Sequence, residues 1–351
     1  MRAPYTTVER VMRAADIKST AYATNEILDA ILSASESVDR LVRLGDETRP
    51  GFAPWVGAIT FDWPVANNSR GYRFNLNQFR LNELTSLVSG GDSMTGQTLP
   101  WPSYGPPFSA IEIDQAGSDS LDYRSGVGQR SLVVSGTWGV LGSTSERSTW
   151  TLGASVSASA GTLLLNAPIG VGSIVSLGSE RVIVSARSWV SSGQTSSGAL
   201  AAAVNVQSVS VSDGSAFLAG EEVIVDSERM LIREIVGNTL NVQRATSGTT
   251  LAAHLAGATV YWARSCEVER GALGTTADSH TSGSALGIYR APDLAEQLTI
   301  AYALDRRAQE SAGYARTIGQ GESERQVSGR GIAELEKRIV AAYGRIRYRA
   351  I

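Results

Sequence analysis

The two histidines of this 351-residue chain, His254 and His280, occupy the same position in two copies of one pattern. Residues 242–257 and 268–283 share V-x-R-x-x-x-G-T-T-x-x-x-H-x-x-G at an offset of 26. Two imidazoles with a carboxylate such as Asp278 have the donor types of a metal site, since neutral imidazole is a common ligand. Each histidine belongs to its own copy, however, so duplication explains both without convergence on one ion. The expectation is structural: an imidazole bonded to backbone in a Gly-Thr-rich turn, with Arg244 and Arg270 bracing the same loop. No metal site, cofactor or catalytic residue is expected.

Other chemistry is thinly supplied. The single cysteine, Cys266, excludes an internal disulfide and any Cys-built zinc site, and reads as a core residue. There is no G-x-S-x-G elbow and no H-E-x-x-H; a P-loop is excluded because lysine occurs only at 18 and 337. Gly170-Val-Gly172 is too little to cradle a phosphate, and Glu221/Glu222 read as a solvated strand edge. The charge sum, 31 basic against 34 acidic residues, gives −3 and no electrostatic footprint for nucleic acid. No apolar run approaches the ~20 residues of a membrane span, and MRAPYTTVER lacks the layout of a secretory leader. A soluble protein that is not an enzyme is expected.

Patterning divides the chain into four parts: 1–50, 51–146, 147–290 and 291–351. Residues 147–290 carry 10 acids and 9 bases in 144 positions, are rich in Ser, Gly, Ala and Val, and contain no lysine. Short β-branched runs bounded by Gly, Ser or Asp, such as 181–184 and 222–225, mark strands. A second repeat aligns thirteen residues from Gly172 with thirteen from Gly220 at an offset of 48, with Ser-Glu-Arg identical at 179–181 and 227–229. Repetition on this scale signals duplicated supersecondary units. The segment reads as an all-β insert, peripheral enough to be excised.

The flanks alternate between helix and strand. Thr6 with Glu9 has the shape of a capping box for a helix over Val8 to Ala14. Ile27, Ile31, Ala34, Val38 and Leu41 form an apolar stripe, with Asp39 among the charged residues of the opposite face and Gly45 past its end. Between 51 and 146 the period becomes two, as in Tyr72, Phe74 and Leu76, with Gly/Pro-rich turns, which predicts a small β-sandwich-like domain. Helix returns after Pro292 with Leu294, Leu298, Ala301, Leu304 and Ala308, and again with Ile332, Leu335, Ile339, Ala342 and Ile346. The overall expectation is α+β: a bundle of the N- and C-terminal helices, the sandwich-like domain and the repeat insert.

Several of these segments together resemble the head–tail connector (adaptor) proteins of bacteriophages. They are the helix Asp29 to Arg40, the turn at 84–91, the strand entry at 105–113, the strand at 128–139 and the proline-opened helix 291–298 with its basic end. The resemblance covers residues 5–140 and 290–350; the insert is a departure, although its histidine unit resembles a module recurrent in phage virion proteins. What the resemblance implies is a closed ring of about twelve copies, placed in the virion neck between portal and tail or head-completion proteins. DNA would pass through its channel without sequence-specific binding, and the protein would be made in the host bacterial cytoplasm. Portal docking is assigned to Ile339, Tyr343, Arg345, Arg347, Tyr348 and Arg349, because Arg and Tyr are favoured interface anchors. The alternative from another class is a carbohydrate-binding tail-spike or decoration protein that uses the β repeats, and a third is a polysaccharide-degrading enzyme.

Overall fold

The computed structural model describes residues 2–15, 23–62, 72–94, 98–113, 130–140, 143–311, 317–318, 325–326 and 330–344. Two helices open the chain, α1 (Val8–Ala14) and α2 (Thr24–Val42). The α1 cap is Thr7, whose side chain accepts from the Arg10 amide. Glu9 is drawn away instead, to the Val171 amide, so the expected capping box does not form. Helix α2 ends on a left-handed Arg43; its apolar stripe is buried from Ile27 to Val38, whereas Leu41 is half-buried and Val42 takes the inner position. Asp39 departs from expectation: it is buried with the stripe because the Tyr5 hydroxyl donates to its carboxylate at 2.6–2.7 Å.

Seven strands follow: β1 (Trp55–Phe61), β2 (Tyr72–Asn75), β3 (Leu81–Ser89), β4 (Asp92–Ser93), β5 (Thr98–Trp101), β6 (Ala110–Ile113) and β7 (Leu132–Trp138). They make two small antiparallel sheets, ordered β1-β7-β3-β4 and β2-β6-β5. Strand β7 alternates buried and half-buried residues, placing Leu132, Val134 and Trp138 inward. A Cβ at its Gly136 would lie 2.1 Å from the Glu83 carbonyl oxygen, so only glycine allows β3 this close.

The next strands are β8 (Ser143–Leu152), β9 (Thr162–Asn166), β10 (Ile174–Leu177), β11 (Glu180–Thr195), β12 (Ser208–Ser210), β13 (Glu222–Val225), β14 (Glu228–Val236), β15 (Thr239–Gln243), β16 (Thr259–Glu269) and β17 (Ala285–Arg290). The chain then returns to helix in α3 (Asp293–Ser311) and α4 (Arg330–Tyr343). Strands β11-β10-β17-β8-β9-β16 pair in that order, and β11 pairs β16, which closes a six-stranded barrel. The distal half of β11 and the proximal half of β16 continue into a second ring of strands, β14-β13-β16-β11-β12-β15. A bridge from Ser196 to Val211 joins β11 to β12 and closes it.

The two barrels have one topology, and the inner one is nested in the chain of the outer. Strands β10 and β11 match β13 and β14 at the offset of 48, whereas β15 and the start of β16 match the end of β16 and β17 at the offset of 26. Both sequence repeats are therefore halves of a single duplication, split because the second copy sits between β11 and β16 of the first. Each barrel has its own apolar interior: Leu163, Leu165, Val175, Val182 and Cys266 in the outer, Val209, Val223, Met230, Leu240 and Val260 in the inner.

The expected helical bundle beside a small sandwich is overturned. Among the described residues strand accounts for about 40% and helix for about 22%, and the largest element is the barrel. The helices pack one cluster largely among themselves, Val11, Ile31 and Ala303 meeting around Val171 of the outer barrel, but they do not form a separate bundle. Val38 and Val42 of α2, Leu298 of α3 and Ile339 of α4 share one cluster with Trp55, Leu81 and Trp138 of the sheets. A 3.6-residue stripe announces that a face is buried, not what buries it.

The insert is also not peripheral. Ile174, Ile183, Ala272 and Leu273 of the outer barrel belong to that central cluster, and the Val56 amide donates to the Leu273 carbonyl at 2.8 Å. Gly274, at φ +80°, passes so near Val56 that a Cβ would meet its carbonyl oxygen at 1.9 Å.

Candidate functional site

The histidine loops are built twice on the same frame. A two-residue turn joins β10 to β11 and β13 to β14, led by a left-handed residue, Gly178 or Asp226. The return strand starts with Glu180 or Glu228, both fully buried. Glu180 receives Arg270 Nε and Nη2 at 2.7 and 2.9 Å, the Gly271 amide at 2.9 Å and the Asp278 amide at 3.2 Å. His280 adds its Nε2 at 2.7 Å. Glu228 receives Arg244 Nε and Nη2, both at 2.7 Å, with the Ala245 amide at 2.9 Å and the Ala252 amide at 3.0 Å. His254 supplies its Nε2 at 2.9 Å. The five donors correspond position for position.

Burial by itself would raise both carboxylates. The arginine, histidine and amide hydrogen bonds outweigh it, holding Glu180 down at about 2 and Glu228 below its ordinary value. Each arginine also reaches outward: Arg270 Nη1 donates to the Ser157 and Ala160 carbonyls, and Arg244 Nη1 to those of Ala201 and Val206. The arginines thus brace the loops as expected from sequence. The imidazoles bond differently: their partners are carboxylates rather than backbone, and His254 also places Nδ1 2.6 Å from Asp226. The matching position in the outer barrel is Gly178, so His280 has no counterpart to Asp226 there.

Glu180 and Glu228 are the residues sequence reasoning missed. Their signal was the identical Ser-Glu-Arg triplet, where a conserved charge between two internal copies marks a buried partner. Its arginines also play one role, Arg181 lying 5.6 Å from the Tyr289 ring and Arg229 5.4 Å from that of Trp189.

A cleft of about 290 Å³ lies where α1, the start of α3 and both barrels meet, lined by neither histidine. Its charges are paired. Arg187 Nη2 lies 2.6 Å from Glu9 and 3.6 Å from Glu222, Arg13 Nη1 3.4 Å from Glu222, and Arg10 pairs with Glu296. Burial lowers Arg187, but Glu9 and Glu222 raise it beyond its ordinary value. Burial pushes the neighbouring Cys266 thiol up to about 12, against the pull of Arg187. Glu221 and Glu222 are therefore not a solvated edge: Glu221 holds Arg264 at 2.8 Å, and Glu222 accepts from Ser247 at 3.0 Å.

Two of the docking candidates are consumed within the chain. Ile339 is fully buried in the central cluster, and the Tyr343 ring packs edge-on to Phe52 at 5.3 Å. Arg345, Arg347, Tyr348 and Arg349 lie outside the described residues. Among the described residues there is no group of three or more His, Cys, Asp or Glu placed to hold a metal ion, and no helix long and apolar enough to cross a membrane. Comparison with known proteins finds no matching family model, no matching curated protein and no matching solved structure.

Proposed function

We propose that the chain is a structural, non-enzymatic virion protein: a subunit of the head–tail connector ring that joins the portal to the tail in the phage neck. The observation that carries this reading is convergence. The segments that resemble connector proteins are separated by the whole insert, yet Val38, Leu87, Ile111, Val134 and Leu298 from five of them meet in one core. Support also comes from the histidine loops, whose acidic and basic groups are spent on one another and leave no acid–base pair free for substrate.

The partners that follow are further copies of the chain in a ring of about twelve, the portal, and tail or head-completion proteins. Portal docking passes to Arg345, Arg347, Tyr348 and Arg349. The carbohydrate-binding alternative draws less support from the barrel tryptophans: Arg264 lies 3.9 Å from the Trp262 ring and Arg229 5.4 Å from that of Trp189, which covers one face of each. Negative-stain imaging of the purified protein, alone and with a portal, tests the reading. Closed rings that cap the portal are expected; a monomer that ignores the portal would overturn it.

A further inference from the structure

The two histidine loops differ at one ring nitrogen. In the inner copy both nitrogens of His254 face carboxylates, Nε2 that of Glu228 at 2.9 Å and Nδ1 that of Asp226 at 2.6 Å. In the outer copy Nε2 of His280 meets Glu180 at 2.7 Å, and among the described residues none bonds its Nδ1. One side chain makes the difference. Asp226 and Gly178 each lead a two-residue turn in the left-handed region, at φ +52° and +58°. The strands beside these turns pair in the same register, Val225 with Glu228 and Leu177 with Glu180.

Everything that orients the ring is common to both copies: the buried glutamate on Nε2, the arginine beside it and the two loop amides. Nδ1 of His280 therefore points to the place that the Asp226 carboxylate takes in the inner copy. That place is open to solvent, since a Cβ built on Gly178 meets nothing within 4 Å and both Gly178 and Ser179 are exposed. Cover differs accordingly: the His254 side chain is fully buried, whereas that of His280 is 12% exposed. Asp278, the acid of the loop 271–284, does not substitute, because its Oδ1 accepts from the Ser279 amide at 2.7 Å.

The inner copy thus identifies the ligand. A group that reproduces its arrangement on Nδ1 is an oxygen acceptor carrying negative charge. The Nε2–H of His280 already donates to Glu180, so a carboxylate on Nδ1 brings one proton with it and leaves an imidazolium that donates from both nitrogens. Arg270 already balances Glu180 at 2.7 Å, so the added carboxylate and proton form a pair neutral in itself. We propose that Nδ1 of His280 and the exposed turn at Gly178 form a binding site for one carboxylate from outside the fold, either a small free carboxylic acid or the acidic side chain of a second copy of this chain. The contact is one of binding, with no bond made or broken beyond the proton.

Diethyl pyrocarbonate acylates an imidazole only through a ring nitrogen whose lone pair is accessible. With two histidines in the full chain, peptide mass spectrometry reads each rate separately. In dilute wild type without acetate, His280 is expected to react and His254 to stay inert. Acetate is expected to slow His280 in a saturable way, and chloride at equal ionic strength to leave it unchanged, with N-acetylhistidine in the same solution correcting for reagent loss. Gly178→Asp places an aspartate at a backbone angle that Asp226 already adopts. It is expected to slow His280 about tenfold with no acetate present, as a hydrogen bond to a charged group does once it is intramolecular. Asp226→Gly is expected to make His254 reactive. Protection that appears without acetate as the protein is concentrated assigns the carboxylate to a second copy; protection by acetate alone assigns it to a free acid. A His280 that is inert when dilute, indifferent to both acetate and protein concentration, or unchanged by Gly178→Asp overturns the proposal. Each of these results leaves the connector reading where it stands, since neither rests on the other.

Discussion

Glu180 accepts from Nε2 of His280 at 2.7 Å although 100 residues separate them in the chain, whereas the equivalent pair, Glu228 and His254, is separated by 26. The inner barrel occupies most of the difference. One hydrogen bond therefore spans a whole folded unit in the outer copy and a short excursion in the inner.

Removing the outer anchor leaves Arg270 buried without its partner and two loop amides unsatisfied. Glu180→Ala is expected to cost about 3–5 kcal/mol, as for other broken buried pairs. Urea unfolding followed by tryptophan fluorescence measures it. A loss under 1 kcal/mol would show that the loop is held by something else.

The same carboxylate predicts an acid limb. The folded value of Glu180 is depressed from 4.5 to about 2, so its contribution is fully present above 4.5 and is lost as pH falls towards 2. Wild-type stability should drop across that window, and Glu180→Gln, already weakened, should drop less. Parallel curves would contradict the assignment.

Asp39 predicts the opposite slope. Its folded value is raised from 3.8 to about 7, burial outweighing the Tyr5 hydrogen bond. Its contribution is therefore greatest below 3.8 and is lost as pH rises through 7, where the folded state must hold a buried charge. In Asp39→Asn the thermal midpoint should lose that decline between pH 4 and 8. A variant that retains the full decline would place its origin elsewhere.

Two excisions should behave oppositely. Ser188 and Ser265 are paired neighbours on β11 and β16. Joining them through Asn-Gly removes the inner barrel, closes a hairpin and leaves six strands in the outer one. That protein should be soluble and cooperative in thermal melts. Deleting 147–290 instead strips Ile174, Ile183 and Leu273 from the central core, and that protein should aggregate.

Ile339→Ala should cost about 2–5 kcal/mol, the range for truncating a buried isoleucine. Ending the chain at Gly344 should leave stability unchanged while abolishing portal co-sedimentation. Retained portal binding in that truncation would move the docking element elsewhere.

The parts legible in sequence were those fixed by local pattern. The α2 stripe and both repeat offsets are contacts of short sequence range or identities between copies. Nesting was hidden because the copies run out of order in the second half, so offsets of 48 and 26 look like unrelated repeats. Asp39 and Glu222 were misread for another reason: composition assigns carboxylates to water, and only Tyr5, Arg187 and Ser247, brought in from distant segments, make their burial affordable. The α3 stripe was off by about one position, with Ala295, Leu298, Thr299 and Ala303 innermost, because the helix faces two clusters at once.

The point at which the outer barrel opens to admit the inner one corresponds, in the inner barrel, to the tight turn at Gly237–Asn238 between β14 and β15. The architecture is thus recursive: the same cut that once accepted a barrel is available again in its own product. A third copy grafted there would extend the pair of long strands outward, lengthening the molecule along one axis while its attachment to the helices stays where it is.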